Sequence, residues 1–209
     1  MEEKEIHDEL AAIRGLMERS SKFISLSGLS GILAGVYSLV AAIFAYMLIK
    51  DNLIDIKQVS FFEALGNGSH ILTGLALIAL IVLILSIATA IILSKNKAKR
   101  KGQSIWGKTS QELFFHMTVP LLTGGIVIAL FIYYENIAFI VPAMLVFYGL
   151  ALLSASNFTF NMVKYLGLLE IALCLIAACL PGYGLLFWAI GFGVLHIIYG
   201  SMMYLKYDR

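Results

Sequence analysis

Two pairs of residues in this chain have chemistry to offer inside an apolar setting: Glu170 with His196, and Glu112 with His116. A carboxyl and an imidazole in reach of one another can relay a proton, hold a ligand or lock two helices together. Histidine titrates near neutral pH, and a desolvated carboxyl favours its neutral form. Ionisable side chains are costly to place in a membrane span, so each is a functional candidate by default.

Glu170 and His196 flank the turn Pro181-Gly-Tyr-Gly. Glu170 lies about 12 residues before that turn and His196 about 13–14 after it, so a rise of about 1.5 Å per residue sets both roughly 18–20 Å from it. They stand at one level on antiparallel neighbours. Residues three and four apart share a helix face, which groups Glu170 with Gly167, Cys174 and Ala177, and His196 with Ala189, Gly193 and Gly200. Faces lined with small residues pack on other helices, so both side chains are predicted to point into a bundle and to meet. The same count from the turn at Tyr134–Asn136 brings Thr123 and Tyr148 to this level. Ser86 and Ser30 fall nearby when counted from the opposite ends. The expectation is a buried polar layer of Ser30, Ser86, Thr123, Tyr148, Glu170 and His196, whose convergence depends on helix rotation.

Glu112 and His116 are one turn apart and share a face, but they fall roughly 28 Å or more from their turn, at the membrane boundary. As metal ligands, Glu112, His116, Glu170 and His196 fall short. Zinc takes three or four protein ligands, and one His and one Glu share a depth. No metal and no cofactor is predicted. No GxSxG, HExxH or P-loop pattern occurs, so no catalytic residue is assigned. The Glu170–His196 pair reads either as a hydrogen bond fixing helix register or as a proton or ligand site.

The elements that must position these residues follow from composition. Of 209 residues, 60% are hydrophobic and 13% charged, against about 25% charged in soluble domains, and the mean hydropathy is +0.90. A span needs ~20 mostly apolar residues. Six runs meet or approach that length, near 23–49, 70–94, 113–133, 137–156, 163–180 and 184–205. The fold class expected is all-α: a polytopic membrane bundle of six transmembrane helices forming one domain over 22–209, preceded by a cytoplasmic amphipathic helix over 1–21. Lys95, Lys97, Lys99, Arg100, Lys101 and Lys108 crowd the connection between the second and third runs. Lys22, Lys164, Lys206 and Arg209 stand at the same side of alternating spans, whereas the opposite connections hold Lys50 and Lys57. The positive-inside rule then puts both termini and the basic 95–108 loop in the cytoplasm, in a cell's inner (plasma) membrane. The acidic opening Met1-Glu-Glu-Lys predicts no cleaved secretory leader, and a net charge of +2 implies no nucleic acid partner.

Further details come from local spacing. Ile6, Leu10, Ile13 and Met17 make one apolar stripe, with acids early and Arg14 and Arg19 late, as a helix macrodipole favours. Five early acids disfavour flat lipid binding and point to a protein contact, the basic loop being the obvious electrostatic partner. Ser27, Gly31 and Gly35 on the first run, with Gly193 and Gly200 on the last, are helix-packing positions. They serve packing within the chain or a homo-oligomer. A short helix is expected near 56–65, and Pro120 with Gly124 and Gly125 predicts a kink in the third run. Cys174 and Cys179 point apart on one helix and are expected to stay reduced. The leading functional expectation is a binding, regulatory or accessory membrane component, partnered by lipid and by a protein or a second copy through residues 1–20 and the first span. The alternatives are a proton-coupled carrier or small channel using the polar layer, and an intramembrane metal or cofactor enzyme using His116 and His196.

Overall fold

In the computed structural model the described residues are 26–52, 70–100 and 106–208. The amphipathic leader, the expected helix near 56–65 and part of the basic loop lie outside them. Six helices are long and apolar enough to cross a membrane. Lipid offers a backbone no hydrogen bonds, so each apolar run must close its own ladder, and helices result. They are α1 (Gly28–Asn52), α2 (His70–Arg100), α3 (Lys108–Tyr133), α4 (Ile140–Ala155, entered through a 3₁₀ turn at Ile137–Phe139), α5 (Asn161–Cys179) and the sixth span Gly184–Asp208, here α6.

α6 is a composite. An α-helical turn over Gly184–Trp188 leads into a π-helical segment, Ala189–Leu195, then α-helix over His196–Met203 and a final π-helical turn at Tyr204–Asp208. By contrast, α3 runs as continuous α-helix across Pro120 and Gly124. At Gly124 the missing side chain admits a neighbour, since a Cβ there would lie 2.5 Å from Cβ of Phe147 on α4.

The turn after α3 closes with the hydrogen bonds of a helix-ending Schellman motif. The Asn136 N–H donates to the Phe131 carbonyl at 2.8 Å and the Glu135 N–H to that of Ile132 at 3.1 Å. Glu135 adopts the left-handed φ of 59° that such a turn usually assigns to glycine.

α1 and α6 pack backbone to backbone. A Cβ on Gly200 would stand 2.4 Å from the Ile32 nitrogen, and one on Gly35 would stand 2.6 Å from the Gly193 carbonyl oxygen. The glycine face of α1 is thus covered by α6 of the same chain, which answers for Gly31, Gly35, Gly193 and Gly200 by packing within the chain. α4 and α5 meet as closely: a Cβ on Gly149 or Gly167 would lie 2.7 Å from the other's carbonyl oxygen. α2 packs chiefly on α1 and α3 chiefly on α4. These two are the rims of the bundle, and their broad exposed faces of leucine, isoleucine and phenylalanine are what hydrocarbon tolerates. Cys174 is buried, Cys179 is exposed and both are free thiols.

One end of the bundle gathers the start of α1, the end of α2, the α4–α5 turn and the end of α6. There Lys97 meets Asp208, Lys97 Nζ also lies 5.6 Å from the Phe160 ring centroid, and Phe160 packs on Tyr207 at 4.2 Å. His116, near the start of α3, stacks on Phe158 at 4.8 Å, so α3 begins at this end too.

Candidate functional site

The three helices α4, α5 and α6 converge on a triad of polar side chains. Tyr148 comes from α4, Glu170 from α5 and His196 from α6, and the close α4–α5 contact at Gly149 and Gly167 brings the first two together. The Tyr148 hydroxyl lies 2.7 Å from Nε2 of His196, and Nδ1 of His196 lies 2.9 Å from the Gly191 carbonyl oxygen. A carbonyl can only accept, so Nδ1 carries the hydrogen; in the neutral ring Nε2 then accepts from the Tyr148 O–H. The imidazole is fully satisfied in this form. Its rings neighbour Tyr148 and Phe192, with centroids 5.4 and 6.0 Å away.

Glu170 is different. Its Oε1 stands 3.6 Å from Nδ1 of His196, beyond hydrogen-bonding range. It is 0% exposed, and neither carboxyl oxygen has a hydrogen-bond partner among the described residues. The walls are tight: a Cβ on Gly191 would come within 2.6 Å of both Oε2 of Glu170 and Cδ2 of Leu145, and 3.2 Å from Cδ2 of Leu173. An ionised carboxylate without a partner in such a place is very unfavourable.

No protein-family model, curated protein or solved structure matches this chain.

The chemistry must therefore be read from the site itself. Of the six residues expected at one polar level, Tyr148, Glu170 and His196 come together. Thr123 does not: it is exposed on α3 and its hydroxyl donates back to the Val119 carbonyl at 2.9 Å. Ser86 is half-buried on α2, whose main packing partner is α1. Ser30 is buried but gives its hydroxyl to the Ser27 carbonyl at 2.6 Å. For Thr123 and Ser30 the physical reason is shared: a hydroxyl on a helix can satisfy itself on the preceding turn, so nothing forces it toward the triad.

Glu112 and His116 lie 3.8 Å apart with side chains 59% and 44% exposed, a pair on the outer surface of α3. His116 and His196 occupy separate surroundings, and the described residues hold no group of three or more His, Cys, Asp or Glu fit for a metal ion.

Two features escaped the sequence reading. Gly191 supplies both the carbonyl that holds His196 and the smooth wall against Glu170; the glycine pair at 191 and 193 was the available signal. Asp208 is the other, the one acid that follows Glu170 in the chain. It accepts from the Gly28 N–H at 2.7 Å and the Ser27 hydroxyl at 3.0 Å. In addition it pairs with Lys97, whose Nζ donates to the Leu26 carbonyl at 2.7 Å. A carboxylate at a helix N-terminus satisfies orphan donors and complements the dipole. Asp208 thus caps α1 from the far end of α6 while Lys97 ties in α2. Lys97→Ala is expected to lower stability by about 1–3 kcal/mol, because it strips a charged partner from a largely buried acid. Thermal unfolding in detergent checks this against Lys95→Ala, an exposed control. Equal melting of the two variants would mean that the clamp contributes nothing.

Proposed function

We propose that this chain is a multi-pass protein of the inner (plasma) membrane, with both termini in the cytoplasm, and that it acts as a binding or regulatory component of a membrane assembly rather than as a carrier. The observation that carries this reading is the enclosure of Glu170. A carrier must expose its intramembrane carboxyl to water or solute in turn, whereas here the carboxyl is 0% exposed with the Gly191 backbone beside it. Orientation rests on charge. Lys95, Lys97, Lys99, Arg100, Lys108, Lys164 and Lys206 belong to the end where α1 begins and α6 finishes, and Lys50 is the one cation of the opposite end among the described residues. Such asymmetry marks a cytoplasmic face. On that face the amphipathic residues Ile6, Leu10, Ile13 and Met17 provide the partner contact.

The test has two arms. Proteoliposomes containing the full chain are expected to show no proton or solute flux above that of empty vesicles. Crosslinking in native membranes is expected to trap a defined complex that deletion of residues 1–20 weakens. Proton flux that Glu170→Gln abolishes would overturn the reading in favour of transport, and an unchanged complex after the deletion would remove the leader from it.

A further inference from the structure

Glu170 raises a question that packing alone does not answer. Buried polar groups normally find partners, and an orphan among them calls for a reason. Four observations limit what the reason can be. Among the described residues the carboxyl has no partner, although a nitrogen-bound hydrogen lies just out of reach. The side chain is 0% exposed and the Gly191 backbone lies beside Oε2, so any ligand larger than a proton would have to part the helices around it. The hydrogen in question, on Nδ1 of His196, is held instead by the Gly191 carbonyl at 2.9 Å. Finally, that carbonyl lies inside the π-helical segment Ala189–Leu195, a wide turn of a kind that is rare in helices and frequent at functional sites.

We propose that Glu170 is a buried proton-binding site that controls the π-helical segment of α6. With the proton bound, the carboxyl is neutral and His196 braces the wide turn through the Gly191 carbonyl. When the helices open locally, the carboxyl O–H bond breaks, the proton leaves to solvent, and on reclosing the new carboxylate attracts the Nδ1 hydrogen. Closing the 3.6 Å gap to an ordinary charge-assisted hydrogen bond needs a shift of only about 0.7–0.9 Å. The Gly191 carbonyl then loses its brace, and the segment is free to re-pair its backbone as α-helix. The other titratable groups that meet at the carboxyl are Tyr148 from α4 and His196 from α6, with Cys174 one turn along α5 and Tyr199 one turn beyond His196. None of them is a fixed charge, so the carboxyl and the imidazole make the switch between them. The half of α6 beyond His196 ends at Asp208, so a change in the segment bears on the clamp with Lys97. This inference rests on the regulatory reading above and names the proton as its input.

The experiment uses the full chain in lipid nanodiscs. Infrared spectra follow the protonated carboxyl band, and nitrogen NMR follows Nδ1 of His196, assigned by its loss in His196→Asn. As the pH is raised, the carboxyl band is expected to disappear while the Nδ1 resonance moves over the same range. Glu170→Gln, an isosteric mimic of the neutral acid, is expected to lack the band and to hold the Nδ1 resonance at its low-pH position. A resonance that titrates alike in Glu170→Gln would overturn the proposal. So would a carboxyl band in the wild type that vanishes without any movement of Nδ1. Because these signals come from the purified chain alone, their failure is separable from failure of the partner test. A coupled titration without a partner would leave the switch and remove the assembly, and a partner without the titration would do the reverse.

Discussion

Gly200→Ala is expected to force α1 and α6 apart and to lower stability by about 3 kcal/mol, the upper part of the usual range for overpacking. The added methyl would meet three backbone atoms: the Ile32 nitrogen at 2.4 Å, the Gly28 carbonyl oxygen at 2.7 Å and the Gly31 carbonyl carbon at 2.8 Å. Side chains can turn away from an intruder, but helix backbone cannot without moving the whole rod. Because Gly28 and Gly31 are part of the seam, the displacement would also pull at the Asp208 cap on α1. Gly125→Ala is the matched control, since a Cβ at Gly125 meets nothing within 4 Å. It is expected to be neutral or to gain about 1 kcal/mol from helix propensity. Thermal unfolding in detergent compares the two, and a disulfide trap between α1 and α6 reports their separation. If Gly200→Ala melts with the wild type, the close seam does not exist in the membrane.

The second large effect runs against intuition. Glu170→Met is expected to stabilise the bundle by about 1–3 kcal/mol, the typical cost of leaving a buried polar group unsatisfied. Methionine is unbranched and adapts its shape to irregular spaces, so it can follow the path of the glutamate chain without bringing a carboxyl. Truncation to alanine would confuse the result by leaving a cavity. The same variant removes the titrating group, so greater stability should come with loss of the pH response of His196. Retention of an unpaired acid at a stability cost is the pattern of a site kept for activity. Denaturation of wild type and variant at one pH provides the measurement. A less stable Glu170→Met would mean that the carboxyl has a partner in the native state.

The extent to which these features were legible in the sequence depended on the kind of information each needed. Six spans follow from run length, because lipid admits little else. The common depth of Glu170 and His196 follows from counting out of the turn at Pro181. Rotation about the helix axis does not follow from counting. Thr123 and Tyr148 are at similar depths by that measure, yet Thr123 is exposed and Tyr148 reaches His196. The difference lies in the neighbours, since α3 forms a rim and α4 stands in the centre. The π-helical segment was also hidden. Pro120 is a local signal in the sequence, whereas nothing comparable marks Ala189–Leu195. In α6 the distortion goes with a side chain, His196, bonding a carbonyl five residues back, and that bond becomes visible only with the imidazole placed. Asp208 was overlooked for a related reason: its partners Ser27, Gly28 and Lys97 are more than 100 positions away.

The pairing of α1 with α6 also has a consequence in time. α1 emerges from the ribosome well before its partner, with Ser27 separated from Asp208 by 181 positions. During that interval α2 can dock, as can α3 on α4, but the glycine groove of α1 has nothing of its own chain to receive. Grooves of this kind accept other helices readily, so the unfinished chain is a target for mispairing with neighbours in the membrane. The seam between α1 and α6 therefore closes late, at the arrival of α6, and any delay there lengthens the exposure of α1.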